Sequence, residues 1–323
     1  MHARHRDQEL VVQKAPFGTL LAAQNVHSRH GRPISQRLKS RFVKRHARST
    51  GVAPARVQKG RRGKSALAAF LLALVPVTPS FAASTPWSPA EGGAVRLVTA
   101  AVEPGATTIR GILEIDLQPG WKTYWRDPGE AGVPPSLDIR PSGGIAQARI
   151  DFPAPERHED ASGSWAGYSR SVSLPVTFTL AEPGTSGMIE ADVFLGLCRQ
   201  ICVPVQARLA LDPHAPEEAE DRASVAMAFR HLPAVESEAF RAKAVGWQPG
   251  VVEVALDLPE GAVPQDLFLS GAEHALSFGK PEITQAGPEW TARVPTDAKA
   301  PPRDIPYTLV SSEGAVSGTL SVP

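Results

Sequence analysis

Two cysteines occur in the 323-residue chain, and only three residues separate them in Gly196-Leu197-Cys198-Arg199-Gln200-Ile201-Cys202-Val203-Pro204. Thiols so spaced can form a permanent disulfide staple, a two-thiolate clip for Cu(I) or Zn, or a disulfide that opens and closes by exchange. A staple would contribute little, because closing a three-residue loop is worth only about 2 kcal/mol in the chain-entropy model. Arg199 beside Cys198 would favour a thiolate and so aid exchange. A zinc site wants four ligands, and beyond residue 82 the chain offers only His158, His214, His231 and His274, scattered along it. No metal and no cofactor is therefore expected, while a Cu(I) clip and a structural staple stay open as alternatives to exchange.

The elements that must hold this pair follow from its geometry. A disulfide needs Cα atoms roughly 4.4–6.8 Å apart, whereas residues i and i+4 of an extended strand lie about 13 Å apart. A bond between Cys198 and Cys202 thus requires the chain to reverse over Arg199-Gln200-Ile201. Ile189 to Leu195 reads as a strand entering, and Val205 to Leu211 alternates apolar and polar as a strand leaving. The sequence predicts a β-hairpin with one cysteine on each strand.

The same alternation recurs at Leu113–Leu117, Val252–Leu258 and Val316–Val322. Pro-Gly turns at residues 104–105, 119–120, 128–129 and 183–184 separate such runs, the pattern of an antiparallel sandwich. One stretch departs from it. Glu217 to Arg230 carries acids in its first turn and Arg at its end, which suits a helix and its dipole, and Pro233 stops it. The expected fold is all-β: a sandwich over 84–212, a linker with a short helix over 213–233, and a second, smaller β domain over 234–323.

Charge divides the chain. Residues 1–64 hold 16 Lys and Arg against two acids, whereas residues 83–323 hold 18 basic and 31 acidic residues, a net charge of −13. At the junction a basic Lys59–Lys64 precedes the apolar Ser65–Val77, and Ser80-Phe81-Ala82 places small residues for cleavage after Ala82. Residues 59–82 read as an export signal, because the apolar run Ser65–Val77 is too short to span a bilayer comfortably. Residues 1–58 read as a disordered basic leader or as a start assigned too far upstream. The expected location is the periplasm, with no stable membrane insertion after cleavage. The acidic body argues against nucleic-acid partners and anionic membrane surfaces. Neither a nucleophile elbow nor a phosphate-binding glycine loop is present, which excludes the commonest hydrolase and nucleotide chemistries.

A second cluster could serve the cysteines. Trp121, Tyr124 and Trp125 crowd three aromatics into five residues between two Pro-Gly turns. They suit core packing, a partner-facing anchor, or a lid over the disulfide. His158-Glu159-Asp160 reads as a solvated polar turn.

Several ordered blocks together resemble a known family: Gly120–Gly132, Phe152–Arg157, Gly167-Tyr168, Leu174–Val176 and Gly196–Pro204. They are similar to the N-terminal periplasmic domain of the DsbD-type thiol:disulfide interchange proteins. The three-residue spacing is closest to the ScsB-like, copper-tolerance-associated branch, since DsbD itself has a longer gap there. The likeness covers about 87–212 well and 234–323 loosely. It implies an immunoglobulin-like sandwich in which Cys198 and Cys202 cycle between dithiol and disulfide, a protein-disulfide reductase component. It also implies an aromatic cap, by position Trp121 to Arg126, with Tyr124 and Trp125 as the lid. Arg199, Tyr168 and His158 are expected near the site. Full-length members continue into a multi-helix membrane domain and a thioredoxin-like domain, neither of which is in this sequence. The expected partners are thus a membrane-embedded thiol carrier on a separate chain and periplasmic thioredoxin-like or disulfide-bonded proteins.

Overall fold

The computed structural model describes residues 83–322 apart from 130–131, 141–142, 161–162 and 272–274. The expected leader, the export signal and His274 lie outside the described residues. The first strands are β1 (Ser88–Ala90), β2 (Gly93–Thr99), β3 (Thr108–Leu117), β4 (Thr123–Tyr124), β5 (Ser136–Ile139) and β6 (Ile145–Ile150). They are followed by β7 (Glu156–Asp160), β8 (Gly163–Tyr168), β9 (Val172–Leu180), β10 (Ile189–Cys198) and β11 (Cys202–Leu211). Helix α1 (Ala219–Arg230) comes next, then β12 (Ala234–Val235), β13 (Arg241–Gln248), β14 (Val251–Asp257) and β15 (Pro264–Leu269). The last four are β16 (Glu282–Ala286), β17 (Glu289–Pro295), β18 (Ile305–Ser311) and β19 (Gly314–Leu320).

In the first sandwich a sheet of order β1-β2-β3-β9-β6 faces a sheet of order β11-β10-β5. Strict alternation explains the layering. Along β11, Val205, Ala207, Leu209 and Leu211 are buried while Gln206, Arg208 and Ala210 are exposed. The inward rows meet in a cluster that includes Leu97, Leu113, Leu174, Phe178, Leu195 and Leu209. Each such side chain contributes about 1.5–3 kcal/mol by leaving water. The second sandwich stacks β12-β19-β18-β15 on β13-β14-β17-β16 around Val254, Leu267, Tyr307 and Leu309. Among the described residues every strand pairing is antiparallel except β12 with β19, which is parallel. The architecture is an all-β, immunoglobulin-like one with a second β-sandwich after it.

The helix is shorter than its sequence pattern predicts, beginning at Ala219 rather than Glu217. Glu218 is still extended, at φ −76° and ψ 142°, and the Glu217 carboxylate turns instead to Arg222, 2.7 Å away. Val225 and Ala228 of α1 pack on Val98 and Ile112, the outer face of the five-stranded sheet. Arg96 ties the helix down through Asp221 at 3.1 Å and also pairs with Glu114.

A third sheet, β4-β8-β7, is small and belongs to neither sandwich. It stands beside the tip of the β10–β11 hairpin and carries most of what surrounds the cysteines.

Candidate functional site

Strands β10 and β11 pair without interruption from Ile189↔Leu211 to Cys198↔Cys202. The cysteines are therefore the last pair of the hairpin, closed by Arg199, Gln200 and Ile201, with the Arg199 N–H donating to the Ile201 carbonyl at 3.1 Å. The two are joined as a disulfide with Cα atoms 4.1 Å apart. The chain reversal expected from the spacing is present. The two cysteines share one face of the hairpin as cross-strand partners but differ in cover: Cys198 is 2% exposed, whereas Cys202 is exposed.

A strap running from Trp121 to Pro128 crosses the hairpin end. Lys122 and Cys198 exchange both backbone hydrogen bonds, each 2.9 Å long. Thr123 Oγ1 donates to the Gly196 carbonyl at 3.0 Å. These contacts place Tyr124 so that its hydroxyl lies 3.2 Å from Cys202 Sγ. A disulfide sulfur bears no proton, so the hydroxyl is the donor. The ring sits where glycines leave space. A Cβ on Gly196 would stand 3.5 Å from Tyr124 Cε2 and 3.0 Å from Val133 Cβ, and one on Gly167 would stand 2.3 Å from the Thr123 carbonyl oxygen. Gly167 thus lets β4 come close enough to β8 to pair with it.

Period two then sorts the small sheet into two faces, since cross-strand partners point to the same side. Tyr124 pairs with Gly167, and Trp165 pairs with His158. Tyr124, Trp165 and His158 therefore share the face toward the disulfide. Tyr124 and Trp165 meet edge to face at 5.9 Å, and Tyr124, Trp165 and Cys198 form one buried cluster. Lys122 Nζ lies 4.1 Å from the Trp165 ring centroid, and His158 stacks on the same indole at 4.1 Å. His158 Nε2 is 3.3 Å from Glu156 Oε2 but out of line for a hydrogen bond.

The opposite face holds Arg157, Ala166, Thr123 and Tyr168. The site residues expected from the sequence consequently divide. Tyr124 touches the sulfur. Trp125, one position on, points the other way and packs on Phe268 of the second sandwich, with ring centroids 5.8 Å apart. Tyr168 lies in the first core rather than at the sulfurs, and its hydroxyl donates to the Pro153 carbonyl at 2.9 Å. Burial pushes the Tyr168 pKa far above its ordinary value, against a smaller opposite pull from Arg126. Trp121 is 9% exposed, lies against Gly92, where φ is +92°, and with Arg199 and Ile201 lines a shallow recess of about 340 Å³ beside the hairpin tip. His158 reaches the site only through Trp165, and it belongs to a strand rather than to a solvated turn.

Trp165 was not singled out from the sequence, Lys122 and Thr123 entered only as part of the expected cap Trp121 to Arg126, and Gly196 only as the start of the cysteine motif. Trp165 carried a usable signal. It precedes Gly167 by two in a strand, so its ring and any side chain across from the glycine share a face. Nothing in sequence indicates that the strand across from it is β4. Among the described residues there is no group of three or more His, Cys, Asp or Glu placed to hold a metal ion.

Comparison with known proteins places these features in a wider set. Residues 96–213 match the family model described as thiol:disulfide interchange protein DsbD, N-terminal. The N-terminal periplasmic domain of ScsB from Proteus mirabilis superposes with a TM-score of 0.64 over 75% of this chain and 100% of that one, at 21% identity, a likeness of fold. A structure of manganese lipoxygenase from Gaeumannomyces graminis with part of a zonadhesin from Komagataella pastoris aligns over 70% of this chain and 92% of that one. Its TM-score is 0.13 and its identity 11%, too poor to bear on the fold. A search of curated proteins returns no match.

Proposed function

We propose that this chain, whose residues 96–213 match the DsbD N-terminal family model, is a periplasmic thiol–disulfide exchange module working through Cys198 and Cys202. The observation that carries the reading is the asymmetry of the pair at the tip of a hairpin: Cys198 is buried with an aromatic cluster, whereas Cys202, across from it on the same face, is an exposed residue. A disulfide kept only as a staple has no need of an accessible sulfur.

The chemistry follows from that asymmetry. The thiolate of a reduced donor attacks Cys202 Sγ, a donor–Cys202 disulfide forms, and the Cys198–Cys202 bond breaks with Cys198 leaving as a thiolate. The donor's second thiolate then attacks its own sulfur in the mixed disulfide and releases Cys202. Two electrons have passed from the donor, now oxidised, to the pair, now a dithiol. The reverse sequence delivers them to an oxidised partner. The Tyr124 hydroxyl, 3.2 Å from Cys202 Sγ, donates to the thiolate left there after reduction. Tyr124 and Trp165 form the cap that a docking partner displaces, while Trp125 anchors the strap from behind. The donor is a membrane-embedded thiol carrier, and the acceptors are thioredoxin-like or disulfide-bonded proteins of the same compartment. No helix among the described residues is long and apolar enough to cross a membrane.

The deciding measurement is the midpoint potential of the Cys198–Cys202 couple, by equilibration in thiol–disulfide buffers. An exchange module titrates in the range of catalytic dithiols, about −120 to −270 mV, whereas a value below about −300 mV marks a structural staple and ends the proposal. The Cys198→Ser variant, which keeps the accessible sulfur, should trap the partner as a mixed disulfide. Anaerobic Cu(I) titration of the reduced protein separates exchange from a copper clip.

A further inference from the structure

We infer that the second sandwich is a positioning element for the redox site: Arg157, Asp266 and Phe268 set how firmly the β4-β8-β7 sheet holds Tyr124 against Cys202. This rests on the reading of Cys198–Cys202 as an exchanging pair, and it concerns access to the sulfur rather than the identity of the partner.

The two faces of the small sheet carry the argument. One presents Tyr124 and Trp165 to the disulfide. The other carries Arg157 and Glu159, and through these two it is fastened to the sandwich that follows in sequence. Arg157 and Asp266 make a bidentate pair, Nε to Oδ2 at 2.8 Å and Nη2 to Oδ1 at 3.1 Å, and Nη2 also donates to the Leu267 carbonyl at 3.2 Å. Both side chains are largely withdrawn from water, at 14% and 19% exposure, so removing either partner strands a charge. Phe268 is 3% exposed and belongs to the core cluster of the first sandwich although β15 of the second carries it. Its ring lies between the Trp125 indole, 5.8 Å away, and the Arg157 guanidinium, 4.5 Å away. At the ends of the same sheet and strap, Asp127 Oδ2 accepts from the Gly271 N–H at 2.7 Å, and Lys280 Nζ donates to Glu159 at 2.8 Å.

These fastenings surround an opening. A cavity of about 380 Å³, lined by Trp125, Arg157, Trp165, Phe268, Phe278 and Lys280, separates the rest of the small sheet from the second sandwich. The sheet is held by discrete contacts around a space, not by continuous close packing. A tilt that lifts Tyr124 from Cys202 moves the sheet into that space, and its resistance is the strength of the Arg157–Asp266 pair and the Phe268 wedge. Trp125 is the link, because adjacent positions of one strap place Tyr124 on the sulfur and Trp125 on Phe268.

The test is the second-order rate at which dithiothreitol reduces the oxidised full chain at 25 °C, for Asp266→Asn and Phe268→Leu, each alone and in a Tyr124→Ala background. Circular dichroism and a melting curve establish that each variant is folded at that temperature. In the wild-type background we expect about tenfold faster reduction, the rate equivalent of one charge-assisted hydrogen bond. In the Tyr124→Ala background no acceleration should remain, because the ring through which the clamp acts is gone. Phe268→Tyr, which keeps the wedge, should restore the slow rate. Folded Asp266→Asn and Phe268→Leu proteins that both react at the wild-type rate overturn the inference. So does an equal acceleration with and without Tyr124, which marks general loosening. Because the rate is read with a small thiol, the outcome stands whether or not the midpoint potential upholds an exchange function.

Discussion

The two sulfurs should differ in reactivity by about two orders of magnitude once each is left alone. Cys198→Ser leaves the thiol of the exposed Cys202, and Cys202→Ser leaves the thiol that is 2% exposed beneath Tyr124 and Trp165. To reach Cys198 a reagent must part three contacts. The edge-to-face pair of Tyr124 and Trp165 at 5.9 Å is worth about 1 kcal/mol. Lys122 over Trp165 at 4.1 Å adds about 0.5–1 kcal/mol, and the Tyr124 hydroxyl contact at position 202 about 1 kcal/mol. Together they come to about 3 kcal/mol, or roughly a hundredfold in rate. The assay is stopped-flow reaction of each single-cysteine variant with a chromogenic disulfide reagent, followed from about pH 6 to about pH 9 so that thiolate fraction is separated from access. Equal plateau rates within about threefold, or a faster Cys198, would refute the reasoning, since the aromatic cluster would then not be shielding the sulfur it touches.

Four further outcomes follow from the same geometry. Cys198→Ser/Cys202→Ser should stay folded and lose no more than about 2 kcal/mol, read as a melting point lower by about 4–8 °C; outright unfolding would mean the bond is structural. Tyr124→Phe, which keeps the ring and removes the donor, should raise the pKa of the Cys202 thiol in the Cys198→Ser background, measured by thiolate absorbance, and an unchanged value would place no hydrogen bond on the reduced sulfur. Gly167→Ala should cost about 1–3 kcal/mol by urea titration, since its Cβ would stand 2.3 Å from the Thr123 carbonyl oxygen. The hydrogen bond from Lys280 holds Glu159 below the usual carboxylate range, so its stabilisation is complete above the unfolded pKa and fades as pH falls through the lower folded value. The melting-point difference between wild type and Glu159→Gln should thus be constant from about pH 7 to about pH 5 and vanish on further acidification.

The hairpin is legible in the sequence. Two cysteines four apart cannot bond along a strand, and the alternating runs on either side of Cys198 and Cys202 leave a reversal as the remaining geometry. The sandwich class, the turns and the helix before Pro233 were legible for the same reason: burial of one face imposes period two on a strand, and the dipole sorts charge along a helix. Helix α1 starts two residues later than its charge pattern suggests because the backbone at Glu218 is still extended, while the Glu217 carboxylate pairs with Arg222.

Which aromatic meets the sulfur was not legible. Alternation says that Tyr124 and Trp125 point to opposite sides, but it cannot say what lies on either side. That depends on β4 pairing with β8 across more than forty residues and on Arg157 meeting Asp266 across 109. Contacts of that span leave no local pattern, because each partner's own neighbourhood satisfies the rules of an ordinary strand. The spacing of Cys198 and Cys202 thus determined that a bond between them needs a chain reversal, whereas the ring that covers the bond, the lysine near that ring and the second sandwich behind it were chosen by long-range pairing of faces.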